Sequence, residues 1–188
     1  MNLPDFQSQE AGIIVAAIRA IHEFASSSTE VFRQFAFDCN PDYGEVLFCL
    51  DTEASSKRFA REHGDTLATD RAKRVNYVDH LEWAISAIER PDMPVVPFNN
   101  NVGDYSHQGF ADYSFAGWND FRFSDQYPGE FESSKNDYLS CVASVLLSHA
   151  ADKLVEREAF GSLRITSPFL VGFQLHDGFH TLVRIINW

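Results

Sequence analysis

Apolar residues recur at Ile14, Ala17, Ile18 and Ile21 within the run from Ser8 to Phe24. That spacing gathers them on one stripe of a 3.6-residue helix, so a first helix is expected there, with Glu10 in its first turn complementing the helix dipole. Ser26-Ser27-Ser28 ends the run, and the period then changes. From Val31 to Phe37, alternation sets Val31, Arg33, Phe35 and Phe37 against Phe32, Gln34 and Ala36, and both sets are largely apolar. A buried strand answers that description. Asn40-Pro41-Asp42-Tyr43-Gly44 has the chemistry of a chain reversal, and Glu45 to Leu50 returns as a second strand to complete a hairpin. Thr52 suits an N-cap, with Glu53 in the first turn of a short helix from Ala54 to His63 that Gly64 stops.

Between Asp70 and Glu89, Val75, Val78, Leu81, Trp83, Ile85 and Ile88 supply the apolar positions of a further helix, ended by Pro91 and Pro94. The stretch from Met93 to Glu132 is broken by Pro94, Pro97, Gly103, Gly109, Gly117, Pro128 and Gly129. Long loops with one or two short strands are expected, Trp118 to Phe123 being the best strand candidate, and such excursions are often functional. Helical spacing returns from Ser134 to Arg157 through Leu139, Val142, Val145, Leu146, Ala150 and Leu154, closed by Gly161. Phe169 to Leu175 and Phe179 to Ile186 flank His176-Asp177-Gly178, where Asp-Gly signals a tight hairpin turn. The order helix then hairpin thus occurs twice, without a shared residue pattern. The expected architecture is α+β, a mainly antiparallel sheet built from hairpins and covered by helices. No Gly/Ser-rich or Pro-rich linker interrupts the chain, so residues 1–188 are expected to form a single domain.

With 45% hydrophobic residues, the 188-residue chain has enough apolar surface for a core that needs no disulfide or metal. Its three cysteines, Cys39, Cys49 and Cys141, are odd in number and irregular in spacing, which fits a reducing compartment rather than a disulfide framework. Cys39 and Cys49 lie near the ends of the first hairpin and are expected to be cross-strand neighbours serving as small buried hydrophobes. Met1 to Phe6 lacks the pattern of a signal peptide, and no apolar run approaches the ~18 residues of a membrane span, so a cytoplasmic location is expected. A net charge of -12 repels nucleic acid and anionic membranes and leaves basic partners open. Solubility accounts for the same charge equally well.

Catalytic signatures are sparse. His176 and His180 flank the Asp177-Gly178 turn and, with Asp177, could approach one another as metal ligands. Exposed polar residues at a hairpin tip explain them better. His149 and Asp152, three apart on the long helix, face one side and can hydrogen-bond, but no serine or cysteine nucleophile stands in a motif beside them. Phosphate-binding glycine loops and the nucleophile elbow are both absent from the sequence. No catalytic residue, metal or cofactor is therefore assigned.

The segment from Asn99 to Glu132 is unusual in composition. It holds Asp104, Asp112, Asp120, Asp125, Glu130 and Glu132 against a single Arg122, interleaved with Tyr105, Phe110, Tyr113, Phe115, Trp118, Phe121, Phe123, Tyr127 and Phe131. Carboxylates steer and pair with Lys and Arg, and aromatic rings supply contact area at low entropic cost, so a surface for a basic partner is one expectation. Asp104, Asp112, Asp120, Asp125, Glu130, Trp118, Tyr113 and Tyr127 are its candidate residues. The other expectation, of equal weight, is that the rings are core and the acids are simply solvated. Positive charge concentrates instead at Lys57, Arg58, Arg61, Arg71, Lys73 and Arg74, as on a solvated helix face.

The run Phe35-Ala36-Phe37-Asp38 through Leu50-Asp51-Thr52-Glu53, with Trp118-Asn119-Asp120-Phe121, Phe160-Gly161 and the closing hairpin at Asp177, resembles a bacterial family of unknown-function domains associated with polymorphic-toxin immunity genes. The likeness extends over most of the chain, with Met93 to Phe115 outside it. It implies an immunity protein that acts by binding a cognate toxin, with no catalytic residues of its own; the acidic, aromatic segment makes a basic toxin the expected partner. A small enzyme with a site assembled from His149, Asp152, His176 and His180, and a homodimer joined through hairpin edges, are the competing expectations.

Overall fold

The β1–β2 hairpin is written in its turn. Strand β1 (Val31–Asn40) ends where the Asn40 side-chain oxygen accepts from the Asp42 N–H at 3.1 Å, and β2 (Glu45–Thr52) begins after Gly44, whose N–H donates to the Asn40 carbonyl at 2.9 Å. Gly44 sits at φ +68°, a left-handed conformation open to glycine without strain. Around this hairpin the computed structural model describes residues 6–59, 61–62, 99, 101–118, 120–121, 134–176 and 181–187. Its remaining strands are β3 (His107–Ser114), β4 (Arg164–Leu175) and β5 (Thr181–Ile186), in one open sheet of order β3-β2-β1-β4-β5. Three of its junctions are antiparallel, and β1 pairs with β4 in parallel. The two helix-hairpin units are therefore joined through their first strands. The result is the expected α+β class, mostly antiparallel.

Helices α1 (Phe6–Ala25) and α3 (Ser134–Glu156) cover one face of the sheet, and a shorter helix, α2, includes residues 53–59 and 61–62. Residues two apart on a strand share a face, so Phe35, Phe37 and Cys39 of β1, Val46, Phe48 and Leu50 of β2, and Phe169, Val171 and Phe173 of β4 turn together toward the helices. They meet Ile13, Ile14, Ala17 and Ile21 of α1 and Leu139, Ala143, Leu147 and Leu154 of α3 in one buried cluster. Phe37 stands opposite Phe48 in register, their rings edge to face at 5.4 Å, a favoured aromatic geometry.

The helix and hairpin boundaries follow the sequence pattern closely, and Thr52 caps α2 as expected, its hydroxyl accepting from the Ser55 N–H at 3.1 Å. Several details are corrected. Helix α1 starts at Phe6, so Glu10 lies beyond the first turn and pairs with His149 of α3 instead of serving the helix dipole. Cys39 and Cys49 are not neighbours across the hairpin. Cys39 faces Val46 and Cys49 faces Ala36, on opposite faces of the sheet. Trp118 to Phe123 was the expected strand, but its described residues form successive turns, with Trp118 N–H on the Phe115 carbonyl and Phe121 N–H on that of Trp118. Among the described residues the strand in this region is β3, which ends seven residues upstream of Phe121. The helix expected from Asp70 to Glu89, Gly64 and the Asp177-Gly178 turn lie outside the described residues.

Helix α3 closes in a way that exposes a small strain. Glu158, not Gly161, takes the left-handed position, at φ +53°. Its N–H donates to the Val155 carbonyl and that of Ala159 to the Leu154 carbonyl, both at 3.0 Å, the pair of bonds that defines a Schellman cap. Glycine is the residue that adopts this conformation freely. Glu158→Gly is expected to raise stability by about 0.5–1 kcal/mol, read as an increase in the urea midpoint; a decrease would mean that the Glu158 side chain contributes more than its backbone strain costs.

Candidate functional site

The second face of the sheet is built differently from the helix face. A chain segment reaching from Asn99 through the 3₁₀ turn Val102–Asp104 lies over it, with Val102 and Tyr105 buried on Ala36 and Cys49. Polar groups hold that segment down. Gln34 Nε2 donates to the Asn99 carbonyl at 2.9 Å, and the Val102 N–H donates to Gln174 Oε1 at 3.0 Å. Asp51, fully buried, accepts from the Ser56 hydroxyl at 2.6 Å and the Ser106 N–H at 3.0 Å. Charge-assisted bonds of this kind are stronger than neutral ones, so one carboxylate ties β2, α2 and the approach to β3 together. Burial raises the Tyr105 hydroxyl pKa well above its ordinary 10.0, and the charge of Asp51 adds to it. The cluster is a structural clasp, since its carboxylate is closed to solvent.

The acidic surface lies beside this clasp. Asp104 is exposed at the end of the 3₁₀ turn, where Asn101 Nδ2 donates to it at 2.7 Å. Asp112 is exposed on β3, the outermost strand at this edge of the sheet, opposite Leu47. Asp120 is exposed in the turns beyond β3. Register extends the acidic row inward: Asp112, Leu47, Asp38 and Gln174 stand side by side across β3, β2, β1 and β4, and Ser114, Glu45 and Asn40 form the next row. Asp38 and Glu45 thus join the surface, although sequence reasoning had not singled them out. The alternation of β2, with Glu45 and Leu47 on the face opposite Val46 and Phe48, was the available signal.

The aromatic residues divide. Trp118 is wholly buried, its indole Nε1–H donating to the Pro41 carbonyl at 2.6 Å and its ring stacked on Phe115 at 4.7 Å. Phe115, Phe121 and Tyr105 are buried as well. Trp118 is therefore part of the core and presents no ring to a partner. Tyr113 is half-buried between strand and helix: its hydroxyl donates to Gln9 Oε1 at 3.4 Å, and Gly12 of α1 leaves it room, since a Cβ there would collide with that hydroxyl. Gln9 also clamps the Ala116 backbone at both N–H and carbonyl, each at 3.1 Å. Asp125, Tyr127 and Glu130 lie outside the described residues.

The residues suspected of catalysis are dispersed. His149 meets Glu10 at 3.4 Å, whereas Asp152 forms an ion pair with Arg184 of β5, so the two do not bond to each other as their spacing had suggested. His176 is exposed at the end of β4, its backbone N–H on the Cys39 carbonyl, while Asp177 and His180 fall outside the described residues. Among the described residues, no group of three His, Cys, Asp or Glu side chains is placed to hold a metal ion. Lys57, Arg58 and Arg61 are exposed on α2, with Lys57 paired to Glu53 at 2.6 Å. No described helix is long and apolar enough to cross a membrane.

Fold and surface together define an α+β protein with an open sheet, two long helices on one face and an acidic margin at the β3 edge. No protein-family model, curated protein or solved structure matches the chain.

Proposed function

We propose that the protein is a binding protein that neutralises a cognate bacterial toxin, receiving a basic partner on the acidic margin at β3. The observation that carries this reading is the exposure of Asp104, Asp112 and Asp120 along the approach, length and exit of one edge strand, with Glu45 exposed in the neighbouring row. An edge strand offers unpaired backbone groups to a second chain, and carboxylates beside it select a cationic one while blunting indiscriminate strand pairing. The resemblance to immunity-associated domains supplies the class of partner. The aromatic contribution falls to Tyr113 and not to the buried Trp118.

The test takes as partner a cognate toxin domain, to be sought among the reading frames beside this gene. Asp104→Asn, Asp112→Asn and Asp120→Asn combined should slow association about tenfold at low ionic strength, with little change in dissociation, because charge steering acts on encounter and is screened by salt. Stopped-flow capture at two salt concentrations measures both. Wild-type association by the folded triple variant in low salt would remove the acidic margin from the mechanism.

A further inference from the structure

Arg33 is the residue of β1 that neither neighbouring strand pairs. Phe32 faces Thr52 and Gln34 faces Asp51, adjacent positions of β2, so Arg33 is the extra residue of a bulge. On the other side, Phe32 is matched to Ile165 and Gln34 to Leu170, and the β4 ladder breaks at the same place. Bulges re-aim side chains and are over-represented beside functional sites.

The side chain placed there is a largely buried cation with no counter-ion among the described residues. Arg33 is 8% exposed, its Nε is buried with no hydrogen-bond partner, and no described residue forms an ion pair with it. Arginine cannot relieve this by losing its proton, because its guanidinium stays charged at any physiological pH. Enclosing an unpaired charge is strongly unfavourable, and a buried unsatisfied group in a folded protein calls for a partner. The contrast within this chain is sharp: Asp51, one position away in the ladder, is satisfied by Ser56 and Ser106. The protein carries 27 Asp and Glu residues against 15 Lys and Arg, yet sets none of the described carboxylates against Arg33. At the same end of the β1–β4 pair, Arg164 stands in register with Val31, exposed, with one N–H committed to the Thr29 carbonyl at 2.8 Å. It adds a second positive charge to that end.

We propose that Arg33 holds an oxyanion, the phosphate or carboxylate group of a small ligand, at the break in the β1 ladder. The planar guanidinium fork donates to such a group from Nε and one terminal nitrogen together, which satisfies the buried Nε–H and compensates the charge in one contact. This proposal and the acidic margin rest on different residues, so the two can fail independently.

The experiment titrates the ¹⁵N-labelled full chain with sodium phosphate and, separately, sodium acetate, with sodium chloride holding ionic strength constant. The side-chain Nε–Hε resonance of Arg33 and the melting temperature are followed together. A saturable shift of that resonance and a rise in melting temperature are expected with at least one anion, and both should vanish in Arg33→Met. Response to phosphate alone identifies a phosphate-bearing ligand, and response to acetate alone a carboxylate. Without added oxyanion, Arg33→Met should fold and melt at or above the wild-type temperature, because it removes an unpaired charge. Should it fail to fold, Arg33→Lys carries the test: it keeps the charge, loses the fork, and should weaken the anion response at least tenfold. No saturable response in the wild type, or one that survives in the folded variant, overturns the proposal.

Discussion

Trp118→Ala should cost about 3–5 kcal/mol of folding stability, the range for truncating a large aromatic side chain in a well-packed core. The ring has no exposed surface, and it occupies the place where the chain leaving β3 closes against the β1–β2 turn. Three contacts converge there. The indole N–H donates to Pro41, the ring stacks on Phe115 at an interplanar angle of 25°, and Gly44 comes so near that a Cβ on it would lie 2.5 Å from the indole. The Phe115 N–H in turn donates to the Gly44 carbonyl at 2.9 Å. Removing the ring opens a cavity and leaves the Pro41 carbonyl without its donor. Trp118→Phe keeps most of the packing and loses only the hydrogen bond, so about 1 kcal/mol is expected. Urea denaturation of the two variants measures both values. Because Trp118 contributes no surface, the folded Trp118→Phe variant should bind a partner as the wild type does. An unfolding midpoint unmoved by Trp118→Ala would contradict its place in the core.

Local chemistry made half of this fold legible. Helices α1 and α3, the Asn40 to Gly44 reversal and the Thr52 cap each depend on residues within one or two turns of themselves, and period and turn chemistry report such elements directly. Strand β3 depends on a distant partner. Its sequence, from His107 to Ser114, contains Gly109 and several polar residues, and it becomes a strand because β2 offers a ladder that Leu47 and Phe48 extend to Asp112 and Ala111. Tertiary pairing overrides weak strand propensity in this way. Trp118 and Phe121 misled for the opposite reason: their aromatic character reflects burial, and burial is also available to turns that fold back onto a core. The parallel β1–β4 pairing is invisible to any local pattern, and so is the placement of Cys39 and Cys49 on opposite faces, which follows from the register. Of the acidic surface, composition identified Asp104, Asp112 and Asp120, while Asp38 and Glu45 needed the register that sets strands side by side. Arg33 read as one member of an apolar alternation. Its significance appears only where two ladders break at once.

The steepest expected response to conditions is alkaline. Burial pushes the Cys39 thiol up from 9.0 to about 12, with the nearby Asp38 charge adding to the effect. Cys49 also rises to about 12 through burial, with Asp38 reinforcing it and a hydrogen bond from the Gly109 N–H acting the other way. Both groups are therefore protonated in the folded chain at pH values where the unfolded chain has released its protons. The unfolded state binds fewer protons throughout that window, so stability falls as pH rises. The contribution is intact below pH 9 and is lost progressively up to about 12, at about 1.4 kcal/mol per pH unit for each thiol. Tyr105, held neutral by burial, adds to the slope above its ordinary 10.0. Domains of this size have about 5–15 kcal/mol in total, so the loss across the window is a large share of the fold's stability. Urea denaturation under reducing conditions at pH 8, 9, 10 and 11 measures the slope. Cys39→Ala combined with Cys49→Ala should begin from a lower stability at pH 8 and then decline much less steeply. A flat profile between pH 9 and 11, or an equal slope in the double variant, would show that these thiols do not stay protonated inside the folded sheet.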